Sequence, residues 1–398
     1  MQLFSLALIP FFLAPAQAQT APRDLAQQRQ AAVQLEQQGQ NTEAEAAWRA
    51  ILAAHPSDAE SYAQLALLEA HELRYKDAIP HYRKALALNP KLPGVRLNLA
   101  LALFKDGDLK AAIPELHQLL KPAPPNSPPN LQEAQRYTIL LAMAHYGLAE
   151  YAQAIPYLKQ AVAADTQNLP LRMTLAHSCL WSKQYQCVLD DYHEMLTLNA
   201  ESAEADMLAG EASDEMKDRD AAIEQFRAAV KTNPSEPNAH FGLGYLLWTQ
   251  KHLDEAAQEF QAELALDPSH LQAILYLGDT RMQQSKPEEA RPLLEKALSI
   301  DPTLWLAHLD LGIIDTDAGR QDDALREMQQ AVKLKPDEVS IHWRLAKLYR
   351  ALGKTAEAKV EFDKANTLTQ SADASVGHQI MTGPQTPTPG RQPVRGQP

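Results

Sequence analysis

Cys179, Cys187, thirteen scattered histidines and an excess of carboxylates are where chemistry could reside in this chain of 398 residues. None falls into an arrangement that would run a reaction. The two cysteines lie too far apart for a Cys-x-x-Cys-His haem site, and no His, Cys or carboxylate cluster has metal-ligand spacing. There is no Gly-rich phosphate loop, and no nucleophile–base pair stands out. The expectation is a protein that is not an enzyme, with no catalytic residues, cofactor or metal. With 37 basic and 50 acidic residues the net charge is −13. A nucleic-acid partner would require a local basic run with interleaved aromatics, which the sequence lacks.

What remains is recognition by surface side chains, and these need elements to position them. Proline marks the elements. Pro234, Pro268, Pro302 and Pro336 stand 34 residues apart, and the same step backwards reaches Ala200 and Thr166. Pro56, Pro90 and Pro124 form a second ladder of the same period, 42 residues short of Thr166 at its last rung. The eight extra residues fall in a Pro-Ala-Pro-Pro-Asn-Ser-Pro-Pro run that cannot be helix interior.

Numbered from three residues after each proline, the eighth place holds Gly210, Gly244, Gly278 and Gly312, and the twentieth holds Ala222, Ala256, Ala290 and Ala324. The twenty-fourth holds Phe226, Phe260, Leu294 and Met328. Small residues let two helix backbones approach, and the bulky one fills the gap beside them. Gly39, Gly107, Gly319 and Gly353 share the fifteenth place, a turn where positive φ ends the first helix. Pro80, Pro114, Pro156 and Pro292 share one place near the first turn of the second helix.

This pattern resembles the tetratricopeptide repeat family. The resemblance implies an all-α solenoid of about ten helical hairpins, forming a right-handed superhelix with a concave inner face. It does not imply an enzyme. The first hairpin keeps Ala32, Ala44 and Trp48 at the expected places, and the last keeps Ala346, Ala358, Phe362 and Ala365. Each repeat buries its apolar stripe against its neighbours, so a chain of this length need not split into globules. His240, His308 and His342 recur at the fourth place, where the family often has Trp, and read as packing residues.

The resulting organisation is a signal peptide at 1–18, a short segment at 19–24, and repeats one to three at 25–121. An inserted Pro-rich loop follows at 122–134, then repeats four to ten at 135–370 and a disordered Pro/Gln/Thr-rich tail at 371–398. The leader is apolar from Leu3 to Leu13, broken by Pro10, too short to span a bilayer, and ends in Ala16-Gln17-Ala18. It lacks Lys or Arg before its apolar core, but still points to a periplasmic or secreted protein with no membrane span once the signal is removed.

If the resemblance holds, the first helix of each hairpin lines the inner face from its second, fifth, ninth, twelfth and thirteenth places. Hairpins three to five then offer Leu97, Leu101, Phe104, Ile139, Met143, Tyr146, Met173, His177, Leu180 and Trp181. The sixth offers Glu204, Glu211, Asp214 and Glu215, the seventh Phe241, Tyr245 and Trp248, with Asp279 and Asp317 farther on. Lys347 and Arg350 make the tenth basic. Aromatic and Met anchors beside carboxylates suit a protein or peptide with apolar and basic residues. The family's carboxylate-clamp pattern is not filled around Asn98.

The function that follows is a non-catalytic scaffold or adaptor in an exported or envelope-associated assembly. An accessory subunit of an enzyme system is the alternative, and self-association through an uncapped terminal hairpin is a third. Cys179 and Cys187 fall on either side of the turn of the fifth hairpin. A disulfide clasp and two small buried free thiols both stay open there.

Overall fold

The computed structural model describes residues 24–121 and 131–381. The signal peptide and most of the inserted loop and tail lie outside the described residues. Among the described residues every regular element is a helix. They divide into two compact units, one ending at Lys183 and the other beginning at Gln184.

In the first unit α1 (Leu25–Gln37) pairs with α2 (Asn41–Ala54), α3 (Ala59–His71) with α4 (Tyr75–Leu88), α5 (Val95–Asp106) with α6 (Leu109–Leu119), and α7 (Leu131–Gly147) with α8 (Tyr151–Ala164). The helix α9 (Leu169–Trp181) completes it. The second unit opens with α10 (Tyr185–Leu198). There α11 (Ala203–Glu215) pairs with α12 (Arg219–Thr232), α13 (Ala239–Thr249) with α14 (Leu253–Leu266), and α15 (Leu271–Gln283) with α16 (Pro287–Ile300). Then α17 (Trp305–Asp317) pairs with α18 (Gln321–Leu334) and α19 (Val339–Ala351) with α20 (Thr355–Met381). Each unit is a stack of helical hairpins.

The fifteenth place explains why every first helix stops where it does. Gly39, Gly107, Gly319 and Gly353 have φ of 73°, 85°, 74° and 75°. Leu73, Ala149, Lys183, Lys217, Lys251 and Ser285 adopt the same left-handed conformation at the same place. The amide that follows closes onto a carbonyl five residues back, as from Arg74 to Glu69 and from His252 to Leu247, both at 2.9 Å. This is the hydrogen bonding of a Schellman stop. Glycine is therefore the unstrained solution at this turn, and the fold imposes the turn on other residues too.

The contact between paired helices follows the small–large alternation. A methyl group placed on Gly244 would sit 2.8 Å from the Phe260 ring, and one on Gly210 2.7 Å from the Phe226 ring. Phe260, Ala256 and Ala290 are fully buried. The first unit solves the same contact with Ala32, Ala66, Ala100, Ala142 and Ala176 at the eighth place, all buried.

His240, His308 and His342 have one structural task. Each ring Nδ1 lies 2.5–2.7 Å from a glutamate carboxylate of the second helix, Glu259, Glu327 or Glu361. Each Nε2 lies 2.9–3.1 Å from the carbonyl of Pro234, Pro302 or Pro336. The ring thus ties the loop before a hairpin to the helix that closes it.

Three boundaries differ from the sequence reading. Helix α7 starts at Leu131, inside the stretch read as loop to 134, because the last proline of the run is Pro129 and nothing after it opposes helix. Helical backbone continues to Met381, beyond the tail boundary at Ser371, and no proline occurs before Pro384. Pro80, Pro114, Pro156 and Pro292 sit inside their helices, past the first turn. Each removes one hydrogen bond near a helix start, which the stacked repeat tolerates.

Candidate binding grooves of the two units

In the first unit, Met143 and Tyr146 on α7 and Met173 and His177 on α9 are half-buried, and Trp181 at the end of α9 is 49% exposed. The rings gather. Trp181 lies 4.7 Å from Tyr151, 5.0 Å from His177 and 6.0 Å from Tyr146, centroid to centroid. Tyr151 comes from the second helix of its hairpin and was invisible to a pattern that sampled first helices alone. Leu180 does not belong to this surface: it is buried, because the twelfth place of α9 turns into the core.

In the second unit the acidic and aromatic sets meet. Glu211 and Asp214 on α11 face Phe241, Gly242 and Tyr245 on α13 across a pocket of about 350 Å³, floored by Met207, Phe226 and Leu246. Gly242 lets this surface form, since a methyl group there would lie 2.3 Å from the Phe226 ring. Asp214 is loosely approached by Arg219 at 3.8 Å. Glu215 falls outside the pocket lining, with its carboxylate 3.3 Å from the Tyr185 hydroxyl.

Beside the pocket runs an aromatic wall. Tyr245 packs on Trp248 at 5.8 Å, and Tyr276 meets them edge-on at 5.2 and 4.9 Å. Phe241 lies 4.9 Å from the His270 ring. Tyr276 and His270 sit at places that the sequence reading did not sample. Asp279 is not a rim carboxylate. It is buried and accepts the Trp248 indole N–H at 2.5 Å, so it anchors the wall from beneath. Lys251 lies over the Trp248 ring at 5.5 Å and donates to Gln283.

A second concavity of about 330 Å³ lies in the first unit. Val33, Leu67, Leu92 and Pro93 line it with Arg29, Glu60, Gln64 and Asn98. Arg29 is held by Asp58 and Glu60. Hydrogen bonding and the two carboxylates hold this guanidinium's pKa above its ordinary value.

Cys179 is buried in α9 and Cys187 lies near the start of α10. Among the described residues there is no free thiol. Also among the described residues, no helix is long and apolar enough to cross a membrane.

Three family models match the chain. Two, each described as tetratricopeptide repeat, cover residues 207–270 and 309–365, and residues 136–168 and 271–304. The third, the N-terminal TPR repeats of the surface lipoprotein assembly modifier, covers residues 58–116. Among curated proteins the chain is similar to surface lipoprotein assembly modifier 1 of Neisseria meningitidis serogroup B, 42% identical over 72 residues. That match spans 18% of this chain and 14% of the relative.

Among solved structures, MamA from Desulfovibrio magneticus RS-1 is 21% identical with a TM-score of 0.39, over 43% of this chain and 97% of that one. YrrB, described as a TPR protein with an unusual peptide-binding site, is 17% identical with a TM-score of 0.38, over 48% and 97%. The Cut9–Hcn1 tetramer of the APC/C is 14% identical with a TM-score of 0.42, over 91% of each chain. These scores carry nothing about ligands. The matched repeat models, together with small–large helix contacts and left-handed turns that recur through both units, establish that this chain belongs to the tetratricopeptide repeat family.

Proposed function

We propose that the chain is a non-catalytic scaffold that holds a protein or peptide segment rich in apolar and basic side chains, within an envelope-associated assembly. One observation carries the reading: in the second unit the carboxylates of Glu211 and Asp214 stand across a pocket from Phe241 and Tyr245. A lysine or arginine stem packs on such rings while its charge meets the carboxylates, so both halves of the side chain are recognised. A net charge of −13 favours the same partners at long range.

Met143, Tyr146, Met173, His177 and Trp181 supply a second aromatic surface for the same purpose, in the first unit. A half-exposed Trp among other rings is the kind of anchor that dominates protein interfaces. The envelope setting is supported by the leader sequence and by the 58–116 match to assembly-modifier repeats. That match contains Glu60, Gln64, Leu67, Leu92 and Asn98 of the first-unit concavity. A role in assembling surface lipoproteins is therefore a second reading, tied to that concavity. In an oxidising compartment we take Cys179 and Cys187 as a disulfide clasp.

The test is capture from an envelope or secreted fraction by the chain from Gln19 onward, beside a Glu211→Gln/Asp214→Asn variant. Both substitutions keep size and remove charge, so the fold should survive. A basic partner held by the wild type and released by the variant, with its loss deepened by low affinity at high salt, supports the groove. Equal capture moves the site to the first unit or to self-association, and turnover of a substrate by the purified chain would overturn the non-catalytic reading.

A further inference from the structure

Two carboxyl groups are buried against each other beneath the aromatic wall of the second unit. Asp279 on α15 is 6% exposed and Asp310 on α17 is 4% exposed. Asp279 accepts two hydrogen bonds at its Oδ2, from Trp248 Nε1 and from Gln283 Nε2, each 2.5 Å long. Asp310 shares a hydrogen bond with Asp279, and its own Oδ2 has no partner. Ionised carboxylates have only acceptor atoms, so two of them cannot bond to each other. One proton must lie between them.

The proton belongs on Asp310. Donors to Asp279 favour its charged form, whereas Asp310 lacks any donor except the proton itself. Burial, followed by the neighbouring Asp279 charge, pushes the Asp310 carboxyl well above the ordinary carboxylate range, with Arg344 of α19 opposing. Other charged groups on the packed helices are turned elsewhere. Arg291 of α16 goes to Asp315, and Glu327 of α18 goes to His308. Above the pair, Tyr276 of α15 is itself pushed up by burial, then by Tyr245 and Asp279.

We propose that Asp279 and Asp310 form a proton-operated latch on the groove: the shared proton ties α15 to α17 and holds Trp248 in the wall, and its loss frees Trp248 and weakens partner binding. The binding half of this inference rests on the groove reading above. The sign follows from linkage. A carboxyl whose folded-state pKa is raised binds its proton more tightly when folded, so its contribution is present at low pH and lost as pH rises through that pKa. The groove is therefore firm in mildly acidic medium and loosens on the alkaline side.

The experiment follows the Trp248 indole N–H resonance of the full chain against pH, assigned by its disappearance in Trp248→Phe, together with Tm. In the wild type the resonance and Tm should move together, Tm falling as pH rises. Asp310→Asn supplies a permanent donor to Asp279; its Trp248 resonance should stay flat and its Tm on the alkaline side should exceed the wild type by about 2–4 °C. Asp279→Asn serves as a second variant and should lower the midpoint of the wild-type titration. A wild-type resonance that does not titrate, or an unchanged titration in Asp310→Asn, overturns the latch. A captured partner whose affinity ignores pH while Trp248 titrates overturns the link to binding. A titrating Trp248 in a chain that captures no partner supports the latch and sinks the groove.

Discussion

Trp181 and Trp248 lie near the ends of first helices in different units, each among tyrosine rings, yet their surroundings differ. Trp181 is 49% exposed and stacks against Tyr151, Tyr146 and His177. Trp248 is half-buried, and its indole N–H ends on the buried carboxyl of Asp279. The same kind of residue at almost the same repeat place is therefore a surface anchor in one case and part of inter-repeat packing in the other. What separates them is the neighbouring repeat: Asp279 offers an acceptor and Tyr276 an edge-on ring.

The largest expected effect on this comparison comes from the helix contact that supports the second cluster. Gly244→Leu drives a side chain into the Phe260 ring and should destabilise the second unit by about 1–3 kcal/mol. Chemical denaturation followed by circular dichroism, with the fluorescence of Trp181 and Trp248 isolated by Phe substitutions, would show which cluster is lost. Loss confined to Trp248 sharpens the distinction, and equal loss at both breaks it.

Next come the tryptophans themselves. Trp248→Phe leaves the buried Asp279 without its indole donor and should cost about 1–3 kcal/mol. Trp181→Phe should stay within about 0.5 kcal/mol, as for an exposed site with no buried polar partner. Equal costs in urea titrations would mean that the two clusters are energetically alike. In a binding assay the order should reverse for any partner that docks on the first unit.

The smallest effect concerns the turns that hold both first helices in place. Leu73 adopts a φ of 62° at a place where Gly107 has 85°. Leu73→Gly relieves left-handed strain but adds unfolded-state freedom, for a net gain of roughly 0.5 kcal/mol. Gly107→Ala meets no neighbour within 4 Å, so its loss of about 1 kcal/mol would be purely conformational. Thermal melts that rank the two variants the other way would refute the turn argument.

Much of the architecture was legible in the residues. The eighth, fifteenth, twentieth and twenty-fourth places each carry a steric requirement that recurs in every hairpin, so even one sequence shows it many times over. The functional surface was legible only in part. Phe241, Tyr245, Glu211 and Asp214 do come together, but Glu215 leaves the pocket, Leu180 turns inward and Asp279 is buried. Tyr151, His270 and Tyr276 enter from places that first-helix sampling omits.

Local chemistry explains this division. Helix periodicity, small residues at backbone contacts and positive φ at turns act within about one repeat, so the sequence by itself determined the hairpins, their number and their limits. The protonated pairing of Asp279 with Asp310 and the anchoring of Trp248 require side chains more than a repeat's helix apart to meet in a dry interior. Only the stacking of one hairpin on the next, which sets that distance and removes water from it, decided them.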